Sequence, residues 1–291
     1  MQLSELLEQL ARAKRYQNEL IEFLQWMDKG LACKIRGCAS WLHLRDYYMQ
    51  DEVRVVNANF CKNRLLCGAC ARRWCLKAIM KYKDKIEVIQ KEKPDLIPAM
   101  VTITVKNGPD LVERVNHIKT SWKRIQQRRR NHKNNPTKWK PVEWNKVEGS
   151  LRALEVTNKG KGWHPHFHVF TLLSEEIDQA KLSEEWKNTT KDSFVVDVRR
   201  CKNGIIAGLC EVIKYTTKFS ELDPLQLWEV YDTLKGRQAL SPAGILRGVD
   251  VGDINHDDLD PQGPFIDMVA RWLWNDSERG YRLQGEQLLA S

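Results

Sequence analysis

His164, His166 and His168 alternate with Pro165, Phe167 and Val169 in the segment Trp163-His164-Pro165-His166-Phe167-His168-Val169-Phe170. On a strand, successive side chains point to opposite faces, so the three imidazoles share one face while Phe167 and Val169 take the other. Two neutral imidazoles two residues apart are good ligands for one divalent ion. Further along, Glu211-Val212-Ile213-Lys214-Tyr215-Thr216-Thr217-Lys218 has helical spacing. Glu211 and Tyr215 stand at i and i+4, and Tyr215 and Lys218 at i and i+3, which puts a carboxylate, a phenol and an ammonium on one helix face. A metal site with such a tyrosine is a nucleophile-and-electrophile set for phosphate chemistry. A half-exposed strand and a solvated helix face are the plainer alternatives. Three one-face His in a chain with only seven, with this helix after them, favour the chemistry.

The elements that must position these groups are legible in part. Ala99 to Val105 is a run of β-branched residues ended by Asn107-Gly108-Pro109, which predicts a strand. Leu111 to Arg130 has helical spacing of its apolar residues, and Gly149 to Thr157 predicts a second strand. A Gly-rich turn over Asn158 to Gly162 leads into the His strand, His164 to Leu173. Ser174 to Asn188 predicts a helix with Ser174 as its N-cap. Phe194 to Arg200 predicts a strand, and Ile205 to Ser220 the tyrosine helix. Met1 to Gly30 reads as an amphipathic helix without the plan of a signal peptide. Beyond position 220, helices are expected over Asp223 to Lys235 and around Phe265 to Trp274. Between them lies an acidic loop holding Asp250, Asp253, Asp257, Asp258 and Asp260.

Six of the eight Cys lie between positions 33 and 75. Cys67-Gly68-Ala69-Cys70 is a two-residue-spaced knuckle whose thiolates can face one tetrahedral ion, with Cys38 and Cys61 as natural partners. That leaves Cys33 and Cys75 spare. Zn²⁺ in a closed structural site is the expectation, with iron as the alternative ion. These breaks divide the chain into an N-terminal helix and Cys-rich module over 1–95, a core over 96–220 and a helical C-terminal region over 221–291. The chain of 291 residues carries 47 Lys and Arg against 38 Asp and Glu, a net +9 that suits a polyanionic partner. The charge is concentrated. Lys119, Lys123, Arg124, Arg128, Arg129 and Arg130 lie in a stretch that runs to Lys140 without one acid, with Trp122 and Trp139 interleaved. Cation beside flat ring is the pairing that holds phosphates and stacks bases, so this run is the expected DNA- or RNA-contact segment. No run of about 18 apolar residues spans a membrane, and a cytoplasmic location is expected, with the Cys as thiols or metal ligands.

At these residues the chain resembles the rolling-circle plasmid replication initiators of the HUH endonuclease superfamily. Val101-Thr102-Ile103-Thr104-Val105 is similar to the family's first motif, His166-Phe167-His168 to its His-hydrophobic-His motif, and Lys214-Tyr215-Thr216-Thr217-Lys218 to its single-tyrosine motif. Phe60-Cys61-Lys62-Asn63-Arg64, running into Cys67 to Arg73, is similar to the Cys-rich segment of one subgroup. The resemblance covers roughly 33 to 222. It implies an α+β fold: a central antiparallel sheet with flanking helices, the His pair on a middle strand and the tyrosine helix alongside.

It also implies site-specific nicking of single-stranded or extruded plasmid origin DNA, with a 5′ phosphate joined to Tyr215 and a freed 3′ hydroxyl. Host helicase and polymerase are the further partners it suggests. Mg²⁺ or Mn²⁺ would sit at His166 and His168, with Glu155 as third ligand or else an exposed strand acid. Lys218 would steady the phosphorane charge, and Glu211 would serve as the base that ends the cycle. His164 is read as a neighbour of the site, constrained by Pro165. A relaxase or transposase of the same superfamily would share the chemistry. A zinc-dependent DNA-binding protein without catalysis would leave Glu211, Tyr215 and the His row unexplained.

Overall fold

The structure, a computed structural model, describes residues 2–15, 17–202, 204–217, 222–238, 240–249, 264, 266–273 and 280–288. In chain order these form helices α1 (Leu3–Arg15), α2 (Asn18–Met27) and α3 (Lys29–Gly37), strands β1 (Trp41–Tyr47) and β2 (Glu52–Ala58), and helix α4 (Gly68–Glu92). Strand β3 (Ile97–Thr104), helix α5 (Leu111–Asn134) and strands β4 (Val147–Asn158) and β5 (Trp163–Leu173) follow. Then come helix α6 (Gln179–Thr190), strand β6 (Val196–Arg200), helix α7 (Ile205–Lys214) with a 3₁₀ turn at Tyr215–Thr217, and helix α8 (Pro224–Leu234). Strands β7 (Leu240–Gly244), β8 (Ile266–Leu273) and β9 (Gly280–Leu288) complete the order. Two compact units result: Met1–Trp74 with Gly252–Ser291, and Cys75–Val251.

In the 75–251 unit, five strands pair antiparallel in the order β6-β3-β5-β4-β7. The middle strand is β5. From Phe167 to Leu173 every residue is buried, as a strand covered on both faces requires. Register sets the site: Thr102 lies opposite His168 on one side, and Glu155 opposite His166 on the other. The two faces of the sheet do different work. Phe167 and Val169 point into a core shared with Ile118, Trp122 and Ile125 of α5 and Leu182 and Trp186 of α6. His166 and His168 point the opposite way, toward α7. Asp110 caps α5 by accepting from the Glu113 amide at 2.9 Å.

In the other unit, β1 and β2 form a hairpin within a four-stranded antiparallel sheet ordered β2-β1-β8-β9. Its core joins Leu6 and Leu10 of α1, Leu42 and Leu44 of β1, Met268 and Ala270 of β8, and Cys38, Cys67 and Cys70.

Several expectations are corrected. The helix around Phe265 to Trp274 is instead strand β8, so the region after 221 supplies three strands besides α8. Those strands are divided between the two units, and the boundaries expected at 95 and 220 give way to divisions at Trp74/Cys75 and Val251/Gly252. Met1 to Gly30 holds two helices and enters a third at Lys29, not a single helix. Helix α6 starts at Gln179 with Asp178 as its cap, accepting from the Ala180 and Lys181 amides, and not at Ser174. The tyrosine helix ends at Lys214, and the turn after it holds Tyr215. Lys218 and the aspartates at 250, 253, 257, 258 and 260 lie outside the described residues.

Candidate functional site

On the α7 face of the sheet, Glu155, His166 and His168 converge. Glu155 Oε2 lies 3.1 Å from His166 Nε2 and 2.8 Å from His168 Nε2. One carboxylate oxygen and two imidazole nitrogens thus meet at a point, the donor set of a divalent-ion site. Glu155 is 5% exposed, which excludes its reading as a solvated strand acid. Burial alone would push its carboxyl up. The hydrogen bonds and charges of His166 and His168 outweigh that and hold it at about 2, ionised and ready as a ligand.

Thr102 orients the site from β3. Its Oγ1 lies 3.2 Å from His168 Nδ1. If Nε2 is given to an ion, Nδ1 carries the proton and donates to the Thr102 hydroxyl, which fixes both tautomer and ring plane. His164, by contrast, points to no ligand role. Its ring meets that of His166 edge-on at 4.7 Å, and burial followed by the His166 charge lowers its pKa.

The Tyr215 ring stacks on His168, with centroids 3.5 Å apart and planes 9° from parallel. Its hydroxyl donates to Glu211 Oε1 at 3.4 Å, so the i to i+4 pair survives even though the tyrosine sits past the helix end. Burial, then the negative charges of Glu211 and Glu155, raise the phenol above its usual range, while Arg199 works in the other direction. These groups line an open cleft of about 770 Å³ between α7 and β6, which also receives Asp197, Arg199 and Lys202. Arg199 pairs with Asp197 at 2.8 Å. Thr102, Arg199 and Lys202 were not singled out in the sequence. The alternation of Phe194 to Arg200 shows which β6 residues share a face, but not that this face meets the tyrosine.

Cys38, Cys61, Cys67 and Cys70 come together in the other unit, with all four sulfurs within 4.8 Å of one another. The Cys38–Cys67, Cys38–Cys70 and Cys61–Cys70 separations are 3.4, 3.5 and 3.6 Å. Four thiolates on a tetrahedral Zn²⁺ at about 2.3 Å would stand about 3.8 Å apart, so a small outward movement fits the ion. Hydrogen bonds from Cys38, Cys61 and Cys70 draw the Cys67 thiol well below the usual range. The buried Lys14 ammonium donates to the Cys38 carbonyl at 2.5 Å beside this cluster. Cys33 is exposed, and Cys75 belongs to the other unit.

The basic run is more varied than its composition predicts. Trp122 is a core residue, 8% exposed, and not a platform for bases, whereas Trp139 is exposed. Arg129 donates to the Val147 carbonyl, Arg124 to that of Thr189 at 3.4 Å and Arg130 to Gln127 Oε1 at 2.7 Å. Lys123 and Arg128 are exposed, and Lys119 is half-buried. All six lie on α5, across the sheet from Tyr215. No described helix is long and apolar enough to cross a membrane.

No curated protein and no solved structure matches the chain. A family model described as replication protein, Rep_1, matches residues 52–271, more than half of the chain and including β3, the His pair, Glu155, Glu211 and Tyr215. The chain belongs to the Rep_1 replication protein family.

Proposed function

We propose that this protein initiates plasmid rolling-circle replication by nicking one strand of origin DNA through Tyr215. The observation that carries this reading is the stacking of Tyr215 on His168, which holds the phenol beside the Glu155–His166–His168 donor set with Glu211 as its hydrogen-bond acceptor. Tyr215 Oη attacks the scissile phosphorus as the bond to the 3′ oxygen breaks, leaving a 5′-phosphotyrosine and a 3′ hydroxyl. Glu211 takes the phenol proton. A Mg²⁺ or Mn²⁺ ion held by Glu155, His166 and His168 would polarise the scissile phosphate. Arg199 and Lys202 offer positive charge in the same cleft, the part assigned from sequence to Lys218. At the end of the cycle Glu211, returned to its carboxylate, serves as base for water or a second hydroxyl. Cys38, Cys61, Cys67 and Cys70 hold a structural Zn²⁺.

The test is a nicking assay on supercoiled plasmid carrying the cognate origin, with Mg²⁺ or Mn²⁺, comparing wild type with Tyr215→Phe. A DNA–protein adduct that survives denaturant in wild type and vanishes in the variant is the expected result. No adduct with wild type on its true origin would overturn the nuclease reading.

A further inference from the structure

The face of the five-stranded sheet opposite Tyr215 carries a charged residue where a core residue is expected. Arg152 of β4 lies under α5, its guanidinium 4.2 Å from the Phe167 ring centroid and 5.0 Å from that of Trp122. Its Nη2 donates to Ser241 Oγ at 3.2 Å, across the β4–β7 pairing. Two aromatic faces and one hydroxyl fix the plane of the guanidinium but leave its charge unbalanced. Burial lowers its pKa to about 10. The neighbours add to the imbalance. Lys119, one turn before Lys123 on α5, is pushed down to about 8 by burial and then by the positive charges of Arg237, Arg152 and Lys123. Among the described residues, no carboxylate lies within ion-pair distance of Arg152, Lys119 or Lys123. Cations this close in a partly dry site repel one another unless an anion sits among them.

We infer that Arg152, Lys119, Lys123 and Arg237 form a phosphate clamp that grips the sugar–phosphate backbone of DNA on the sheet face opposite the nicking tyrosine. Arg152, held flat by Phe167, Trp122 and Ser241, supplies a preorganised fork that a phosphate oxygen matches. Lys119 and Lys123 close on it from α5, and Arg237 from the turn after α8. The two faces of one sheet then serve one DNA molecule, the α7 face cutting and the α5 face holding. This inference rests on the reading of the protein as one that acts on DNA. The adduct assay above uses wild type alone and reports on the nicking chemistry independently of the clamp.

The experiment is a fluorescence-anisotropy titration of full-length protein with a labelled duplex of about 30 base pairs and with a single strand of equal length, repeated across salt concentrations without added divalent ion. Wild type is compared with Lys119→Gln/Arg237→Gln, with Lys119→Arg/Arg237→Lys, and with Lys181→Gln/Lys187→Gln. The last pair removes two exposed charges from α6. Each phosphate contact contributes about 0.9 (duplex) or about 0.7 (single strand) to the slope of log affinity against log salt. For the first variant we expect a slope shallower by about 1 to 2 and affinity roughly tenfold weaker on at least one DNA form. The charge-conserving variant should recover most of the loss and the α6 variant should match wild type. An unchanged slope on both DNA forms overturns the clamp. An equal loss in the α6 variant overturns it too, since diffuse charge would then account for the effect. Matching thermal melting curves establish that the variants are folded.

Discussion

At the scale of single residues, the site sets a carboxylate against a phenol that must lose its proton. Glu211 accepts the Tyr215 hydrogen bond and also, by its charge, disfavours the phenolate. The second effect governs pH dependence. A phenol whose pKa is raised is less ionised at neutral pH, so adduct formation should climb as pH rises through the neutral and mildly alkaline range. Glu211→Gln removes one of the charges that raise the pKa, which moves the rising limb to lower pH. It also removes the proton acceptor, so the rate at the plateau should fall about 100-fold. Single-turnover adduct formation, followed across pH in both proteins, separates the two effects: position of the limb reports the charge, height of the plateau the acceptor. A limb that moves to higher pH in the variant would show that Glu211 does not repel the phenolate. Glu155 does not enter this range, since its carboxyl is held at about 2.

At the scale of elements, the reach of Tyr215 depends on how closely α7 approaches the sheet. Gly208 permits that approach. A Cβ at this position would strike the Cys201 sulfur and come within 3.3 Å of Phe170 on β5. Gly208→Val therefore pushes α7 away from the strand that carries His168. It should cost about 1–3 kcal/mol of stability and a larger share of activity, because a displacement of about 1 Å at the reacting atom can cost 100-fold in rate. Thermal melting with nicking kinetics checks this: full activity in a destabilised variant would show that α7 position is not what aligns the tyrosine. The tyrosine helix, the His strand and the acid on the neighbouring strand were legible because their chemistry is carried by spacing within one element. Thr102 was visible only as part of a strand, since its contact with His168 depends on β3–β5 register, which tertiary pairing decides. Strand β8 was misread for a physical reason as well. Ile266-Asp267-Met268-Val269-Ala270-Arg271-Trp272-Leu273 is a short apolar run that fits a buried helix as readily as a strand. Its pairing with β1, more than two hundred residues earlier, leaves no local signal. The hairpin of β1 and β2 did have one, in the alternation of Trp41 to Tyr47, but the cysteines on either side drew the reading toward a metal module alone.

At the scale of the whole molecule, the unit formed by 1–74 and 252–291 depends on its cysteines more than on its apolar core. Three of the four, Cys38, Cys67 and Cys70, are themselves core residues, packed with Leu10, Leu42 and Met268. They tie the end of α3 to the start of α4, while Tyr281 donates to the Ala39 carbonyl at 2.6 Å and links β9 to the same corner. Four thiolates on Zn²⁺ carry a net double negative charge, and the buried Lys14 ammonium beside Cys38 offsets part of it. Its pKa is lowered by burial and pulled back up by the thiols, so its charge is retained only while they are negative. Metal binding and folding of this unit are then one equilibrium. Elemental analysis should find one zinc per chain, and Cys67→Ser or a strong chelator should remove it. Hydrogen-exchange mass spectrometry should then lose protection across β1, β2 and the start of α4, while β3, β4 and β5, which belong to the other unit and its separate core, keep theirs. Protection of β1 and β2 that persists after the metal is gone would mean that packed thiols, not an ion, hold the corner. Protection lost equally in β3 to β5 would mean that the two units fold as one.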